Sequence, residues 1–494
     1  MRKILLIIAG AAAVVVIAAA LGLYLFFSGD GIRRTLEQQA SAWLGQPVKI
    51  KAARGQLFPR PGIGLSDVEI GDPVQLTLAN VDVSTDLRGL LNRRIEDGRV
   101  LISDSTVQFP LTLAVPAQGG PGAAESNAGG GVQVVSIRDI SLRDVQIRSR
   151  GREVRVSADS SLEADRLTIR SFTAESGSTS LQVDGEAALE PRVDVTLRAR
   201  ATKLDFDELL ALADAFDSGR PAGARQPSAP ASTVKLAAQI TADTATAAGV
   251  LLSQFAATMS MDGDRFVLKP VTFGLFGGTY EGALNGRLGE RMSVSLQSRL
   301  KGLDVAQVAA FGGSPDTMTG TLNGEGTFSA NGADMSAALA NATGKGSASI
   351  VDGTIKRLDL VRTVVLFFGR PAPDTPAASD AFERIDTTFS LAKQIFRADT
   401  FSMQSRDADI TGSATLALDS GGLDGTVDLR LSEELSAQAG TDLARFTRED
   451  DRIILPAKLG GTLEHPRITI NALAATRRGI QNEIQRRLKG IFGR

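Results

Sequence analysis

Alternation of apolar and polar residues with a period of two is the feature that most constrains the fold of this chain. Between residues 181 and 197, odd positions are mostly apolar and even positions mostly polar or charged. The alternation recurs at residues 292–297 and 427–432, and dipeptides such as Asp-Gly and Asn-Gly recur about every ten residues. Successive strand side chains point to opposite faces, so the pattern predicts a mostly β chain whose sheet has one apolar and one polar face.

One glycine-rich stretch, FGLFGGTYEGALNGRL at residues 273–288, admits two interpretations. A phosphate-binding P-loop is excluded because no Gly-Lys-Ser/Thr follows the glycines. Read as a strand, the stretch places Gly282 and Gly286 on the same face as Tyr280 and Leu284. The missing side chains would let a sheet curl tightly or leave room for a ligand. Alternatively, the glycines relieve crowding in an ordinary sandwich core.

The residue inventory argues against several classes of protein. The chain has no cysteine, and its single histidine, His465, precedes a proline in a turn-like context. The net charge is −2, so no large basic surface indicates nucleic-acid binding. We find no catalytic motif or metal-ligand spacing, and we therefore expect a protein that is not an enzyme and has no cofactor and no metal.

The N-terminus predicts a membrane anchor. An uncharged run extends from Ile4 to Phe27, which is longer than the roughly 7–15 residues of a signal-peptide core. A helix of this length can span a bilayer. Arg2 and Lys3 favour a cytoplasmic N-terminus. We therefore expect residues 1–30 to be a single transmembrane helix, with the bulk of the chain outside the inner membrane.

Composition divides the remaining chain. Residues 116–131, 217–232 and 370–379 are rich in Gly, Pro, Ala and Ser, which predicts breaks in the sheet. Residues 31–115, 132–216 and 233–470 are then β segments, with 116–131 and 217–232 as linkers. Asp86, Asp205, Asp304 and Asp359 each end a strand-like stretch before a short apolar one, so we expect each to cap a short helix.

The last segment, residues 471–494, predicts a basic amphipathic helix. Its apolar side chains recur at helical spacing, and several basic side chains accompany them. The residues concerned are Ile480, Ile484, Leu488 and Phe492, with Arg486, Arg487 and Lys489. Such a helix can lie on an anionic membrane surface or dock on the end of a sheet, and both alternatives remain open.

Six stretches follow one another along the chain: FPRPGIGLSDV (58–68), FGGTY (276–280), GLDV (302–305), GTLNGEG (320–326), IVDGTIK (350–356) and LPAKLGGTL (455–463). In their order and spacing they resemble segments of the AsmA proteins of Gram-negative envelopes. The resemblance covers most of residues 31–115 and 233–470.

The resemblance implies both a fold and a function. The fold would be a long, strongly curved antiparallel sheet forming an open apolar groove, with one N-terminal transmembrane helix and a few short helices. The protein would sit in the inner membrane, face the periplasm, and support outer-membrane biogenesis by conducting phospholipids between membranes. A contact with the outer membrane or an envelope partner protein is left open. The alternative is a non-transporting scaffold that affects outer-membrane protein insertion.

The alternation selects the residues that would line this groove. They are Leu181, Val183, Leu189, Val193, Val195, Leu197, Tyr280, Leu284, Leu288, Met292, Val294, Leu296, Val427, Leu429 and Leu431.

Overall fold

The computed structural model describes most of the chain between residues 45 and 470. The described ranges are 45–56, 60–86, 94–95, 97–109, 133–134, 137–163, 165–216, 234–287, 291–333, 335–355, 381–438, 448–449, 452–462 and 466–470, with positions 33, 37, 38, 40 and 41. The predicted anchor (residues 1–30, including Ile4 and Phe27) and the predicted C-terminal helix (residues 471–494) lie outside them. Within the described residues, no helix combines the length and apolarity needed to cross a membrane.

The chain divides into two compact units, Met1–Gly263 and Asp264–Arg494, with the boundary inside the predicted 233–470 segment. Each unit is mostly β. The first unit contains helix α1 (Phe206–Phe216) and strands β1 (Val48–Gln56), β2 (Gly62–Ile70), β3 (Leu76–Ser84), β4 (Arg94–Ile95), β5 (Gly98–Ser103), β6 (Thr106–Phe109), β7 (Gln133–Val134), β8 (Ile137–Ser149), β9 (Arg152–Glu163), β10 (Arg166–Ser176), β11 (Thr179–Ala188), β12 (Asp194–Asp205), β13 (Lys235–Ala247) and β14 (Val250–Asp262).

The sheet of the first unit is mixed, which corrects the expectation of a purely antiparallel sheet. Most neighbours are antiparallel, but β8 pairs in parallel with β5 and β6, and β13 pairs in parallel with β12. A parallel neighbour needs a crossover of a dozen or more residues. The chain supplies crossovers at residues 110–136 and 206–234. The predicted linkers at 116–131 and 217–232 lie outside the described residues, but the strands on either side of each one pair with each other, so the sheet is not broken at either position.

The second unit has antiparallel pairing throughout its described strands. These are β15 (Arg265–Leu275), β16 (Gly278–Arg287), β17 (Met292–Asp304), β18 (Thr321–Gly332), β19 (Thr343–Thr354), β20 (Ala381–Ala392), β21 (Ile395–Ser405), β22 (Ala408–Ala417), β23 (Leu423–Leu431), β24 (Arg448–Glu449), β25 (Arg452–Gly461) and β26 (Pro466–Ile470), with helices α2 (Val305–Phe311), α3 (Met335–Ala340) and α4 (Glu433–Gln438). Consecutive strands pair from β15 to β23, and β23 then pairs with β25. Strands β19 and β20 pair directly across the connection that contains residues 370–379, so the sheet continues there as well.

Two aspartates end strands and begin helices, as predicted. The Asp205 carboxylate accepts a hydrogen bond from the Glu208 amide at 3.0 Å, at the start of α1. The Asp304 carboxylate accepts one from the Ala306 amide at 2.9 Å, at the start of α2. Each carboxylate satisfies an amide that the first helical turn leaves without a partner.

The first unit begins with a densely packed region that we call the closed N-terminal core. It joins buried side chains of β1, β2, β3, β5 and β8 with Ala40, which belongs to the helical residues before β1 (33, 37, 38, 40 and 41), here called the helical segment. Its buried strand residues are Val48, Ile50, Ile63, Leu65, Val68, Ile70, Leu76, Leu78, Val81, Val83, Val100, Ile102 and Val145.

Side chains of the helical segment also cover the outer edge of β1. The Glu37 carboxylate accepts from the Ile50 amide at 2.8 Å, and the Ser41 hydroxyl accepts from the Val48 amide at 2.9 Å. The Arg33 guanidinium donates to the Ile50 carbonyl at 3.1 Å. These contacts occupy backbone groups that an exposed edge strand would otherwise offer to another strand.

Candidate functional site: the apolar sheet faces

In the second unit, strand register brings side chains of the same parity onto one face. Directly paired residues in adjacent strands point to the same side of a sheet, so each row of partners marks one face. We name three rows. The leucine row is Leu268, Leu284, Leu296, Phe328, Gly344, Leu391, Phe396, Leu416 and Leu423.

The two neighbouring rows lie on the same face. The glycine row is Val271, Gly282, Ser298, Gly326, Gly346, Phe389, Ala398, Ala414 and Gly425. The tyrosine row is Phe273, Tyr280, Leu300, Gly324, Ala348, Thr387, Phe401, Gly412, Val427 and Ala457. Together the three rows form the apolar face of the second unit, and none of their members is charged.

The opposite face of the same strands is polar. Glu281, Arg299, Glu325 and Ser347 pair in succession across β16 to β19. Arg299 and Glu325 form an ion pair at 3.4 Å. The strands therefore separate a hydrated surface from an apolar one, as the alternation predicts.

The large side chains of the leucine row are half-buried along its full length, from β15 to β23. A fourth row of the same face contrasts with it. In that row, Ile385, Met403 and Leu429 are buried, with 7%, 3% and 2% of their surface exposed. The apolar face is thus partly accessible at the leucine row and buried at the margin formed by the fourth row.

The predicted groove residues of the second unit divide accordingly. Tyr280, Leu284, Leu296 and Val427 lie in the leucine and tyrosine rows, and all are half-buried. Met292 and Val294, also half-buried, occupy the strand that carries Leu296. Leu288 lies outside the described residues.

Leu429 and Leu431 were wrongly assigned to an open groove. Leu429 is 2% exposed and Leu431 is fully buried, and both pack with Ile453, Leu455 and Ala457. Their alternation is the same as that of Leu296, but β25 lies beside β23 and supplies large side chains that enclose them. The alternation identifies the apolar face without revealing which parts of it are covered.

The first unit carries a comparable apolar face on β8 to β14. One of its rows is Leu142, Ala158, Phe172, Val183, Ala199, Ile240 and Ala257, and the next is Ile140, Ser160, Ile169, Gly185, Leu197, Ala238 and Met259. Leu181, Val183, Val195 and Leu197 share this face and are half-buried.

Two predicted groove residues of the first unit lie outside strands. Leu189 and Val193 belong to the connection between β11 and β12, where Leu189 is exposed and Val193 is half-buried. The stretch from residue 181 to 197 is therefore a hairpin. Ala187 pairs with Val195 and Val183 pairs with Ala199. Odd-numbered residues of both strands therefore lie on the same face, as the sequence pattern predicts.

Aromatic rings cover Gly282 of the glycine-rich stretch and two other members of the glycine row. The Tyr280 ring occupies the space that a Cβ on Gly282 would need, and the Phe389 ring lies at 2.5 Å from an ideal Cβ on Gly346. A ring atom of Phe328 lies at 2.8 Å from the corresponding point on Gly326. The glycines thus let rings lie close against the backbone of the sheet.

These rings also contact one another. Phe389 lies between Phe328 and Phe396, at centroid distances of 6.3 and 4.9 Å, and Tyr280 stacks on Phe273 at 4.4 Å. Sequence reasoning missed Phe328, Phe389 and Phe396. An available signal was the Gly326-Thr327-Phe328 spacing, since residues two apart share a strand face.

A depression of about 800 Å³ lies against β15 to β21, but none of the predicted groove residues lines it. Its lining includes Glu281, Arg299, Glu325 and Lys345, which belong to the polar side. Five members of the glycine row also line it: Gly282, Ser298, Gly326, Gly346 and Phe389. Nowhere in the described ranges do three or more His, Asp or Glu side chains form a group that could hold a metal ion.

Tyr280 is the titratable group of the apolar face. Burial in these apolar surroundings raises the pKa of its phenol above the ordinary value. Desolvation disfavours the charged tyrosinate, and no nearby cation offsets it.

Comparison with known proteins adds one finding. The model of the AsmA family matches residues 1–111 and 198–407. The matched ranges take in β1 to β6 and the strands from β12 to β21, including most of the three rows. Neither the curated proteins nor the solved structures contain a match to the chain.

Proposed function

This chain belongs to the AsmA family, and from that premise we propose that it is an inner-membrane-anchored periplasmic protein that supports outer-membrane biogenesis by conducting phospholipids along its apolar sheet faces. Family membership fits an envelope-related function. The observation that carries the finer proposal is the leucine row of the second unit, where large apolar side chains stay half-exposed across consecutive strands.

The physical argument concerns the cost of carrying acyl chains through water. Exposing a sixteen-carbon chain costs roughly 13 kcal/mol at about 0.8 kcal/mol per CH₂. The leucine row crosses nine strands, and the eight spacings between them, at ~4.8 Å each, give it a length of about 38 Å. An acyl chain lying along this row keeps contact with apolar side chains throughout, because the Phe328 ring covers Gly344, so its free energy stays nearly level as it moves.

The composition of the face suits movement more than retention. The leucine row is mostly Leu and Phe and the adjacent glycine row mostly Gly and Ala, which spreads the contact over many weak positions. One deep aromatic pocket would hold a lipid in place. The proposal requires no catalytic group, cofactor or metal.

The proposal also assigns a role to each end of the chain on the basis of its sequence. Residues 1–30 would anchor the protein in the inner membrane, and residues 471–494 would lie on a membrane surface or cap the sheet.

The competing function is a scaffold that binds β-strands of outer-membrane proteins at a sheet edge. Glu37 and Ser41 already occupy edge groups of β1, which disfavours that edge as a binding site. The scaffold would then bind strands at the edge of β26 that faces away from its partner β25.

A crosslinking experiment distinguishes the two functions. Photo-crosslinking residues placed at Tyr280 and Leu296 of the full chain should capture phospholipid in cells, detected by mass spectrometry. Matched positions Glu281 and Gln297, one residue along and on the polar face, should capture little. Equal capture from both faces, or none from either, would contradict the lipid proposal. Capture of outer-membrane proteins beside β26 would support the scaffold.

A further inference from the structure

Two hydroxyl groups interrupt the apolar face of the second unit without a hydrogen-bond partner among the described residues. They belong to Tyr280 in the tyrosine row and Ser298 in the glycine row. The third hydroxyl in these rows, that of Thr387, instead donates to the Thr400 carbonyl at 2.9 Å. Neither oxygen is among the fully buried, unpaired polar atoms of the described residues, so each hydroxyl is accessible and free to donate to an acceptor on a ligand.

The geometry gathers the two free hydroxyls at one place. Tyr280 lies two residues before Gly282 on β16, and its hydroxyl reaches over Gly282 into the space of the absent side chain. Ser298 is the residue directly opposite Gly282 on β17. Stacking on Phe273 at 4.4 Å, with ring planes 9° apart, holds the phenol in this position.

The surroundings decide what kind of acceptor fits. The three rows contain no charged residue, so a carboxylate or phosphate would lie there without a counter-charge. A neutral carbonyl oxygen meets no such penalty. The apolar side chains on either side, Leu284 and Leu296 in the leucine row and Leu300 in the tyrosine row, suit the hydrocarbon attached to it.

We propose that Tyr280 and Ser298 form a hydrogen-bonding site for the ester carbonyl groups of a diacyl glycerolipid whose acyl chains lie on the neighbouring rows. This inference rests on the proposed lipid-conducting function and adds to it a preferred resting position and a preference for ester-linked lipids. The Tyr280 and Ser298 hydroxyls donate to carbonyl oxygen, and no covalent step is involved.

The test compares two lipids that differ only in the carbonyl groups. The purified full chain is incubated with micelles holding equal amounts of dipalmitoyl phosphatidylcholine and its dihexadecyl ether analogue, and bound lipid is quantified by mass spectrometry. Wild-type protein should retain the ester about fivefold over the ether, the effect expected of one net hydrogen bond. The double variant Tyr280→Phe/Ser298→Ala should retain both equally, with ether uptake unchanged.

Ser329→Ala provides the matched control, because its hydroxyl lies on the polar face and already pairs with the Thr343 hydroxyl at 3.0 Å, and it should keep the ester preference. Tyr280→Phe retains the ring that stacks on Phe273, so the fold should persist. As a second measurement, the infrared band of ¹³C-labelled ester carbonyls bound to wild-type protein should lie at lower frequency than in the double variant.

Each outcome bears on the inference. Equal retention by wild-type protein, or a preference that persists in the double variant, would overturn it while leaving lipid binding intact. If neither lipid binds above the level of a Leu296→Asp variant, the proposed function fails and this inference fails with it.

Discussion

The closed N-terminal core and the apolar face of the second unit share the same alternation of apolar and polar residues, but their apolar side chains are buried to different extents. In the core, Leu65 and Val81 are 6% and 0% exposed, and Ala40 of the helical segment packs against the strands. On the apolar face, Leu284 and Leu296 occupy equivalent inward positions but remain half-buried. A strand pattern specifies which side of a sheet is apolar, whereas burial depends on what lies against that side.

The residue types also differ between the two regions. The buried positions of the core are mainly Val, Ile and Leu, whose branched side chains interlock. The rows of the second unit interleave Leu and Phe with Gly, Ala and Ser. A row with many small members buries less area per residue, which suits a surface that must remain accessible.

The largest expected difference comes from placing a charge in each region. Val81→Asp should prevent folding or destabilise the protein by several kcal/mol, because the carboxylate would be buried without a partner. Leu296→Asp should keep the fold, since the carboxylate can reach water. Far-UV circular dichroism and urea unfolding of both variants check this, and equal unfolding of the two would mean that the apolar face is packed.

Side-chain truncation should give a smaller contrast. Leu431→Ala removes a fully buried side chain and should lower the free energy of unfolding by about 2–5 kcal/mol. Leu284→Ala removes a half-buried one and should cost about 1 kcal/mol, because less apolar area is lost. Thermal and urea unfolding measure both, and a larger loss for Leu284→Ala would refute the assignment of Leu284 to an accessible face.

Adding a methyl group to the glycine row tests the ring packing. Gly346→Ala should destabilise by about 1–3 kcal/mol, because its Cβ would collide with the Phe389 ring and the Glu325 carbonyl. Gly324→Ala is the matched control, since its nearest neighbours lie at 3.3 and 3.6 Å. Similar melting temperatures for the two variants would show that the rings do not depend on the glycines.

The smallest expected effect concerns the ionisation of Tyr280. Burial raises the pKa of Tyr280 in the folded state. Above pH ~10 the unfolded chain therefore releases the phenol proton before the folded protein does. The contribution of the neutral phenol to stability is complete below pH ~10 and is lost as the pH rises past that value. In a Tyr24→Phe variant, Tyr280 is the remaining tyrosine, and absorbance at about 295 nm follows it. Its pKa should return to about 10 in denaturant. Phospholipid vesicles should raise the folded-state pKa further, and no response to lipid would argue against coverage of this face.

Much of the local structure could be predicted from sequence because it depends on short-range rules. Helices α1 and α2 begin at aspartates whose carboxylates satisfy nearby amides, an interaction confined to three residues. The apolar parity of residues 181–197 was also correct, even though a hairpin at residues 189–193 interrupts the stretch.

Features that depend on distant residues could not be predicted in this way. The parallel pairing of β12 with β13 requires a crossover whose path composition does not reveal. The burial of Leu429 and Leu431 depends on β25, which lies about twenty residues further along the chain. The ring of Phe389 covers Gly346, which lies on another strand, so neither residue alone indicates the contact.

For this protein, the sequence by itself determined the β class, the parity that separates apolar from polar side chains, the aspartate caps and the resemblance to the AsmA family, because each is written in residues close together along the chain. Only the tertiary structure decided which apolar side chains are enclosed and which stay accessible. Enclosure requires a second surface against the first, and that surface comes from strands brought together by register and crossover.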